Sequence, residues 1–423
     1  MLHANHPEIR ELLLKGEFGL EKENLRVDEN GCLSHSPDPF PEEEHISRDF
    51  CENQVEVNTS VSDSAAGAIR ELQIFDSKIK ERLNSLPQRE YLWPFSSPPY
   101  IRSEADIPVA HFIGSEFSKT RYREYLSDRY GRYKMAFCGI HFNYSFAEEL
   151  LKKDFAVSGE EDFISYKNKL YVTLAERMMA YGWIMVAITA ASPLLDSSFV
   201  EKGVMGKDLF TGMASVRCSE LGYWNFFVPI LDYTDVNSYA DSIQKYVDDG
   251  LISFPSELYY PIRLKPRGQN NLDILREKGV NHIELRMIDL NPLVPGGLEE
   301  KDILFAQLLL VWLASTPRQP FERRDQVQAI QNFKNAAHFD LKTVKLVVPN
   351  GEVYTVAQAG INVINFMEEF YKDFPKEVKD VLAFQKEKFG DIEKRYAWKI
   401  REQFRDGFVK KGLELAKRQS EIK

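Results

Sequence analysis

Cysteine is scarce in this chain: Cys32, Cys51, Cys138 and Cys218 are the only four in 423 residues, and no two form a C-x-x-C pair. That excludes a disulfide scaffold and a thiolate zinc site, and it suits reduced thiols in a cytoplasmic protein. Positive charge is also in deficit. Lys plus Arg number 54 against 64 Asp plus Glu, a formal net charge of −10. This argues against nucleic-acid or membrane partners, though not against an anionic ligand held through metal ions. Long apolar runs are missing. Residues 183–195 and 303–315 are the most apolar stretches, too short to span a bilayer, and read as buried helices. Residues 1–11 lack the apolar segment of a signal peptide. Repeats, low-complexity tracts and long linkers are absent too. The chain therefore reads as one domain over 1–423, with a helical C-terminal subregion from about 355 to 423.

Hydrolase signatures are likewise lacking: there is no Gly-x-Ser-x-Gly elbow and no His-Glu-x-x-His helix. Gly114-Ser115-Glu116-Phe117-Ser118-Lys119-Thr120 imitates a phosphate loop, but it lacks the second glycine and is one residue short. Any ATP would then be held by metal ions and arginine.

Four stretches instead place polar groups at alternate positions. They are Glu21-Lys22-Glu23, Asp49 with Gln54-Val55-Glu56-Val57-Asn58, His141-Phe142-Asn143-Tyr144-Ser145, and His282-Ile283-Glu284-Leu285-Arg286. Spacing of two is the side-chain period of a strand, so each stretch aims its polar groups at one face. Strands are expected over 17–27, near 50–59, around His141 and near 283–290. Helical periodicity covers 64–86 through Ala68, Leu72, Phe75, Ile79 and Leu83, and a helical run containing Tyr122, Tyr125 and Leu126 precedes His141. One long helix is expected over 160–192 and another over 299–315, stopped by Pro317. The chain is helical from about 355, with no proline after Pro375. Strands with helices between and after them indicate an α+β fold, an antiparallel sheet backed by helices.

If the strands pair, Glu21, Glu23, Asp49, Glu56 and Glu284 share one surface. Five carboxylates without counter-charge do not stay ionised together. Two or three Mg²⁺ ions supply that charge, and His141 can complete one shell, which suits Mn²⁺ as readily. Arg286, two residues after Glu284, is placed to grip a migrating phosphoryl group. Arg263, Lys265 and Arg267 form a basic cluster for a nucleotide. Each signal has a bland competitor: Glu-Lys-Glu as a solvated strand face, His141 as a core histidine, His282 as structural, Glu284 and Arg286 as a compensated surface pair. Jointly these weaken, because the acidic positions recur on strands whose alternate neighbours are apolar.

Taken in order, Gly19-Leu20-Glu21-Lys22-Glu23-Asn24-Leu25-Arg26-Val27, Asp49-Phe50…Glu56, Gly139-Ile140-His141-Phe142-Asn143-Tyr144-Ser145 and Ile283-Glu284-Leu285-Arg286…Asp289-Leu290-Asn291-Pro292 resemble bacterial glutamate–cysteine ligases over roughly the first 300 residues. The resemblance implies a glutamine-synthetase-like fold, a curved antiparallel sheet with the active site on its concave face. It implies ATP-dependent ligation of the γ-carboxylate of L-glutamate to the amine of L-cysteine through a γ-glutamyl phosphate, the first step of glutathione biosynthesis. By this likeness the metal ligands are Glu21, Glu23, Asp49, Glu56, His141 and Glu284, and Arg286 binds phosphate. Ser215-Val216-Arg217-Cys218-Ser219-Glu220-Leu221-Gly222-Tyr223 resembles the segment whose arginine holds the cysteine carboxylate, which makes Arg217 and Tyr223 acceptor-site candidates with Tyr259, Tyr122 and Leu126. Met135 stands where the enterobacterial members lead one to expect a glutamine. It keeps shape and loses the amide donors, which bears on acceptor specificity.

Neither an appended ATP-grasp region nor a second ligation is expected, and a monomer is favoured. Three alternatives stay open: the same chemistry with another amine or amino-acid acceptor, a non-catalytic regulator that binds a nucleotide or amino acid, and a metal-dependent hydrolase, which phosphate release without any amine would favour. Loss of activity on replacing Arg217 favours a carboxylate-bearing acceptor, whereas absence of turnover with any amine favours the regulator.

Overall fold

A computed structural model describes residues 1–41, 43–202, 206–319 and 321–421. The α+β expectation holds. The central sheet contains β1 (Gly16–Val27), β2 (Ile46–Arg48), β3 (Gln54–Asn58), β4 (Tyr91–Leu92), β5 (Ile140–Phe146), β6 (Ile262–Lys265) and β7 (His282–Ile288). Its order is β2-β3-β1-β5-β7-β6, with β4 against the end of β1, and every pairing is antiparallel.

The register delivers the acidic face. Glu23 lies opposite Glu56, Glu21 opposite His141, Asn143 opposite Glu284, and Glu284 opposite Arg263. An irregularity between Ile140 and Phe142 shifts the β5–β7 pairing beside His141. Asp49 departs from the expectation that every acidic position is on a strand, because it lies in the connection between β2 and β3.

The intervening residues build the opposite face. Phe18, Leu20, Phe142, Tyr144, Ile283 and Leu285 are buried. Helix α1 (Ala65–Asn84), capped by Ser64, packs against β1 with Ala68, Leu72 and Ile79 buried. Lys22 and Arg26 are charged residues of β1 on this side; Lys22 meets Asp76 of α1 and Arg26 meets Glu90, each at 2.6 Å.

The helix expected over 160–192 is instead two, α2 (Phe163–Tyr181) and α3 (Trp183–Thr189), divided at Gly182. A Cβ at Gly182 would stand 2.8 Å from the Phe333 ring, so the neighbouring helix packs directly on the break. The apolar run beyond Thr189 is not helical. Ser192 bridges to Ser215, and its hydroxyl donates to Asp289 at 2.7 Å. Glu300–Ser315 is helical as expected, with Glu299 as N-cap.

Among the described residues, four α-helices follow residue 355: Val356–Phe370, Lys376–Gly390, Tyr396–Phe404 and Phe408–Glu421. Phe408 stacks edge-on against Trp93 and Phe95, next to β4. One buried apolar cluster runs from Leu2 to Ala416. Among the described residues, no helix is long and apolar enough to cross a membrane.

Candidate active site

A cavity of about 330 Å³ opens on the acidic face of the sheet. Glu21, Glu23, Asp49, Glu56, His141, Glu284, Arg286, Arg263, Lys265, Arg217, Tyr223, Tyr259, Tyr122, Leu126 and Met135 all line it, so the structure gathers every candidate named from the sequence. The strands supply the charged floor. The wall comes from helix Phe117–Tyr130 and from the segments around 215–224 and 256–261.

The floor divides into two electrostatic halves. In the first, Glu21, His141 and Glu284 bring one ligand atom each within 4.8 Å of one another. His141 Nδ1 lies 3.0 Å from Glu21 Oε2, and Arg286 Nη1 donates to Glu284 Oε1 at 2.9 Å. Lys265 Nζ stands 3.5 Å from the same oxygen. Burial alone would raise the Glu284 carboxyl, but Arg286 and Lys265 hold it well below the usual carboxylate range. Burial, then Arg286, lowers the His141 imidazole, which leaves a neutral nitrogen ligand.

The second half has too little positive charge. Burial, then Asp49, pushes Glu23 well above its ordinary value. Burial, Asp49 and Glu21 push Glu56 up to about 8. These groups cannot ionise together as they stand, and Glu284 Oε2 is buried without a hydrogen-bond partner. Hard oxygen donors that lack counter-charge, with one neutral imidazole, fit divalent cations such as Mg²⁺ or Mn²⁺.

The wall is aromatic and anchored. The Tyr223 and Tyr259 rings are 3.7 Å apart between centroids, and Tyr130 stands edge-on to both. Met135 and Leu126 are buried beside them. Arg217 Nη2 donates to the Arg286 carbonyl at 2.8 Å and Nη1 to the Ile288 carbonyl at 3.4 Å, so β7 fixes the guanidinium. Arg263 Nη2 donates to the carbonyls of Ser256 and Leu258, which ties the loop before Tyr259 to β6.

Several residues escaped the sequence reading. Arg123 holds the Asp49 carbonyl through Nε, and Lys134, Trp224 and Ser256 line the cavity. Glu257, wholly buried, accepts from Tyr130 Oη at 2.8 Å and from the Ser253 amide at 2.7 Å, and Arg129 Nε lies 3.0 Å from it. Asn225 donates to the Glu257 carbonyl and accepts from the Tyr259 amide. Glu257 lies two residues before Tyr259, but a lone acid between a serine and a leucine carries no periodic signal. His282 does not join the cavity. It lines an adjoining groove of about 780 Å³, which shares Glu21 and presents Lys167, Arg267 and Lys278.

The glutamate–cysteine ligase family profile matches residues 2–253 and 227–336. The chain belongs to the glutamate–cysteine ligase family. Among relatives of known annotation, the glutathione biosynthesis bifunctional protein of Listeria monocytogenes serovar 1/2a is 33% identical over 97% of this chain and 55% of its own length. The corresponding Clostridium perfringens protein is 30% identical over 93% of this chain and 51% of its own length. The chain thus spans about half the length of these relatives. Among solved structures, the Francisella tularensis glutamate–cysteine ligase, in complex with AMP, superposes with a TM-score of 0.85 at 24% identity, covering 96% of this chain and 88% of that one. The match establishes that the family's fold is present.

Proposed function

We propose that this chain ligates the γ-carboxylate of L-glutamate to the amine of L-cysteine at the expense of ATP. The observation that carries the reading is one cavity joining a cation-seeking carboxylate floor to an arginine- and tyrosine-lined wall, in a member of this family.

Glu21, His141 and Glu284 would hold one divalent cation, while Glu23, Asp49 and Glu56 would hold one or two more. When bound, such ions supply Lewis-acid charge neutralisation for the polyphosphate. Arg286 lies beside this floor, where its guanidinium stabilises charge on the phosphoryl group in transit. A γ-carboxylate oxygen of glutamate attacks the γ-phosphorus. The bond from that phosphorus to the β,γ-bridging oxygen breaks, and ADP leaves.

The acyl phosphate is then attacked at carbon by the acceptor amine. The carbon–oxygen bond to phosphate breaks, inorganic phosphate leaves, and the amine gives up a proton to solvent. Arg217, fixed on β7, orients the acceptor carboxylate, and Tyr122, Tyr223, Tyr259, Leu126 and Met135 enclose its side chain and exclude water. Lys265 serves the nucleotide phosphates, and the basic groove beyond Glu21 takes the rest of ATP. Arg263 serves from behind by holding the Tyr259 loop. The four unpaired cysteines fit a cytoplasmic setting.

The test is ADP release from ATP, Mg²⁺ and L-glutamate across a panel of amines. Turnover confined to L-cysteine or 2-aminobutyrate supports the reading. A preference for a different amine keeps the chemistry and overturns the product. ATP binding without turnover on any amine overturns the enzyme.

A further inference from the structure

Behind the acidic face, on the opposite side of β1, lies a second cavity of about 420 Å³. Its walls are the side chain of Lys22, the α1 residues Asp76 and Lys80, the loop from Leu290 to Gly297, and Leu415 and Gln419 of the last helix. Lys22 and Lys80 each meet Asp76 at 2.6 Å, on different carboxylate oxygens. Two ammonium groups therefore share one carboxylate, and the group retains a net positive charge.

That charge is poorly hydrated. The Lys22 side chain is only 5% exposed, Asp76 8% and Lys80 18%. An ammonium carries three protons, yet among the described residues only Asp76 accepts from Lys22. Asn291, also on the cavity wall and 3% exposed, accepts from the Leu293 amide, while its side-chain nitrogen is buried with no partner. The backbone of Gly297 lies beside Lys22, where a Cβ would stand at ordinary contact distance, 3.7 Å, from its Cε. Buried donors left open beside a cavity cost free energy unless an acceptor enters, and an excess cation selects an anionic one.

We propose that this back-face cavity binds a small ligand through a carboxylate or phosphate oxyanion, held by Lys22 and Lys80 with the Asn291 amide. Lys22 lies on β1 between Glu21 and Glu23, and Asn291 follows β7 by three residues. The ligand therefore sits behind the two strands that carry the acidic floor. It touches none of the residues assigned to the reaction.

Calorimetric titration of the full chain with sodium phosphate, and separately with sodium acetate, tests the site. The Arg286→Ala variant, without nucleotide or divalent cation, weakens phosphate binding at the floor, where Lys265 and Arg263 remain. Saturable binding of at least one probe is expected, weakened about tenfold or more by Lys80→Gln and restored by Lys80→Arg. Circular dichroism and the melting temperature confirm that each variant is folded. The probe that saturates distinguishes a phosphate-bearing from a carboxylate-bearing ligand. Saturation by neither probe, binding indifferent to Lys80→Gln, or binding seen in the parent chain and lost in Arg286→Ala would each overturn the site.

Discussion

The guanidinium of Arg217 occupies the place where a side chain on Gly139 would begin. A Cβ built on Gly139 falls 2.2 Å from Arg217 Cζ and Nη2. The same glycine donates its amide to Glu23 Oε2 at 3.2 Å and accepts from the Glu23 amide at 3.0 Å. One residue without a side chain thus brings Arg217 against the acidic floor.

Gly139→Ala should therefore displace Arg217 rather than unfold the sheet. The expected result is an acceptor KM raised about tenfold or more, since ångström-scale misplacement of a positioning group has effects of that order. The KM values for ATP and L-glutamate should stay close to those of the parent. Steady-state kinetics with each substrate varied in turn checks this; an equal rise in all three would remove Arg217 from the acceptor site.

Arg286→Ala should lower kcat by about 10²- to 10³-fold, the usual cost of deleting a preorganised charge at the transferring group. It also leaves Glu284, wholly buried, without its 2.9 Å partner. In the absence of divalent cations the variant should melt at a lower temperature, and added Mg²⁺ should recover more of the midpoint than in the parent. ADP release and thermal scans with and without Mg²⁺ give both readings.

Glu257 touches no substrate in the proposed reaction, but it ties Tyr130 and Arg129 to the loop that carries Tyr259. Glu257→Gln keeps the shape and cannot accept from every donor. The acceptor KM should rise about three- to tenfold, of the order of one lost charge-assisted hydrogen bond. At saturating acceptor, kcat should be retained. A fall in kcat with unchanged KM would place Glu257 in the chemistry instead.

Acid stability should carry the mark of His282. Burial, then Lys265, pushes its imidazole down to about 4, from an ordinary value of about 6.5. The folded chain therefore keeps His282 neutral while the unfolded chain protonates it. Stability from this group is complete above about pH 6.5 and is lost as pH falls toward 4, by up to roughly 3 kcal/mol. Denaturant unfolding at pH 7 and pH 5, without divalent cations, should show that loss, and His282→Gln should flatten it.

How much of this was legible in the chain differs by element. Period-two alternation marked β1, β3, β5 and β7 because a strand sends successive side chains to opposite faces. Helical periodicity placed α1 and the helix over Glu300–Ser315. The break at Gly182 was not legible. Residues 160–192 carry helical periodicity across that glycine, and only the fold shows the Phe333 ring of a distant helix packed on it. Asp49 was placed on a strand and lies beside one, because local alternation does not reveal where pairing stops.

The sequence by itself determined which side chains of each strand point to one face, since the pleat allows no other distribution once the apolar partners are buried. Tertiary structure alone decided their electrostatics. Glu284 is neutralised by Arg286 and Lys265, while Glu23 and Glu56 are left short of charge. That difference depends on Coulomb interactions across strand pairings and on burial, which scale with distance in space and not with spacing along the chain. For the same reason the Glu257 hub and the Lys22–Asp76–Lys80 group became visible only when segments far apart in sequence were brought within hydrogen-bonding reach.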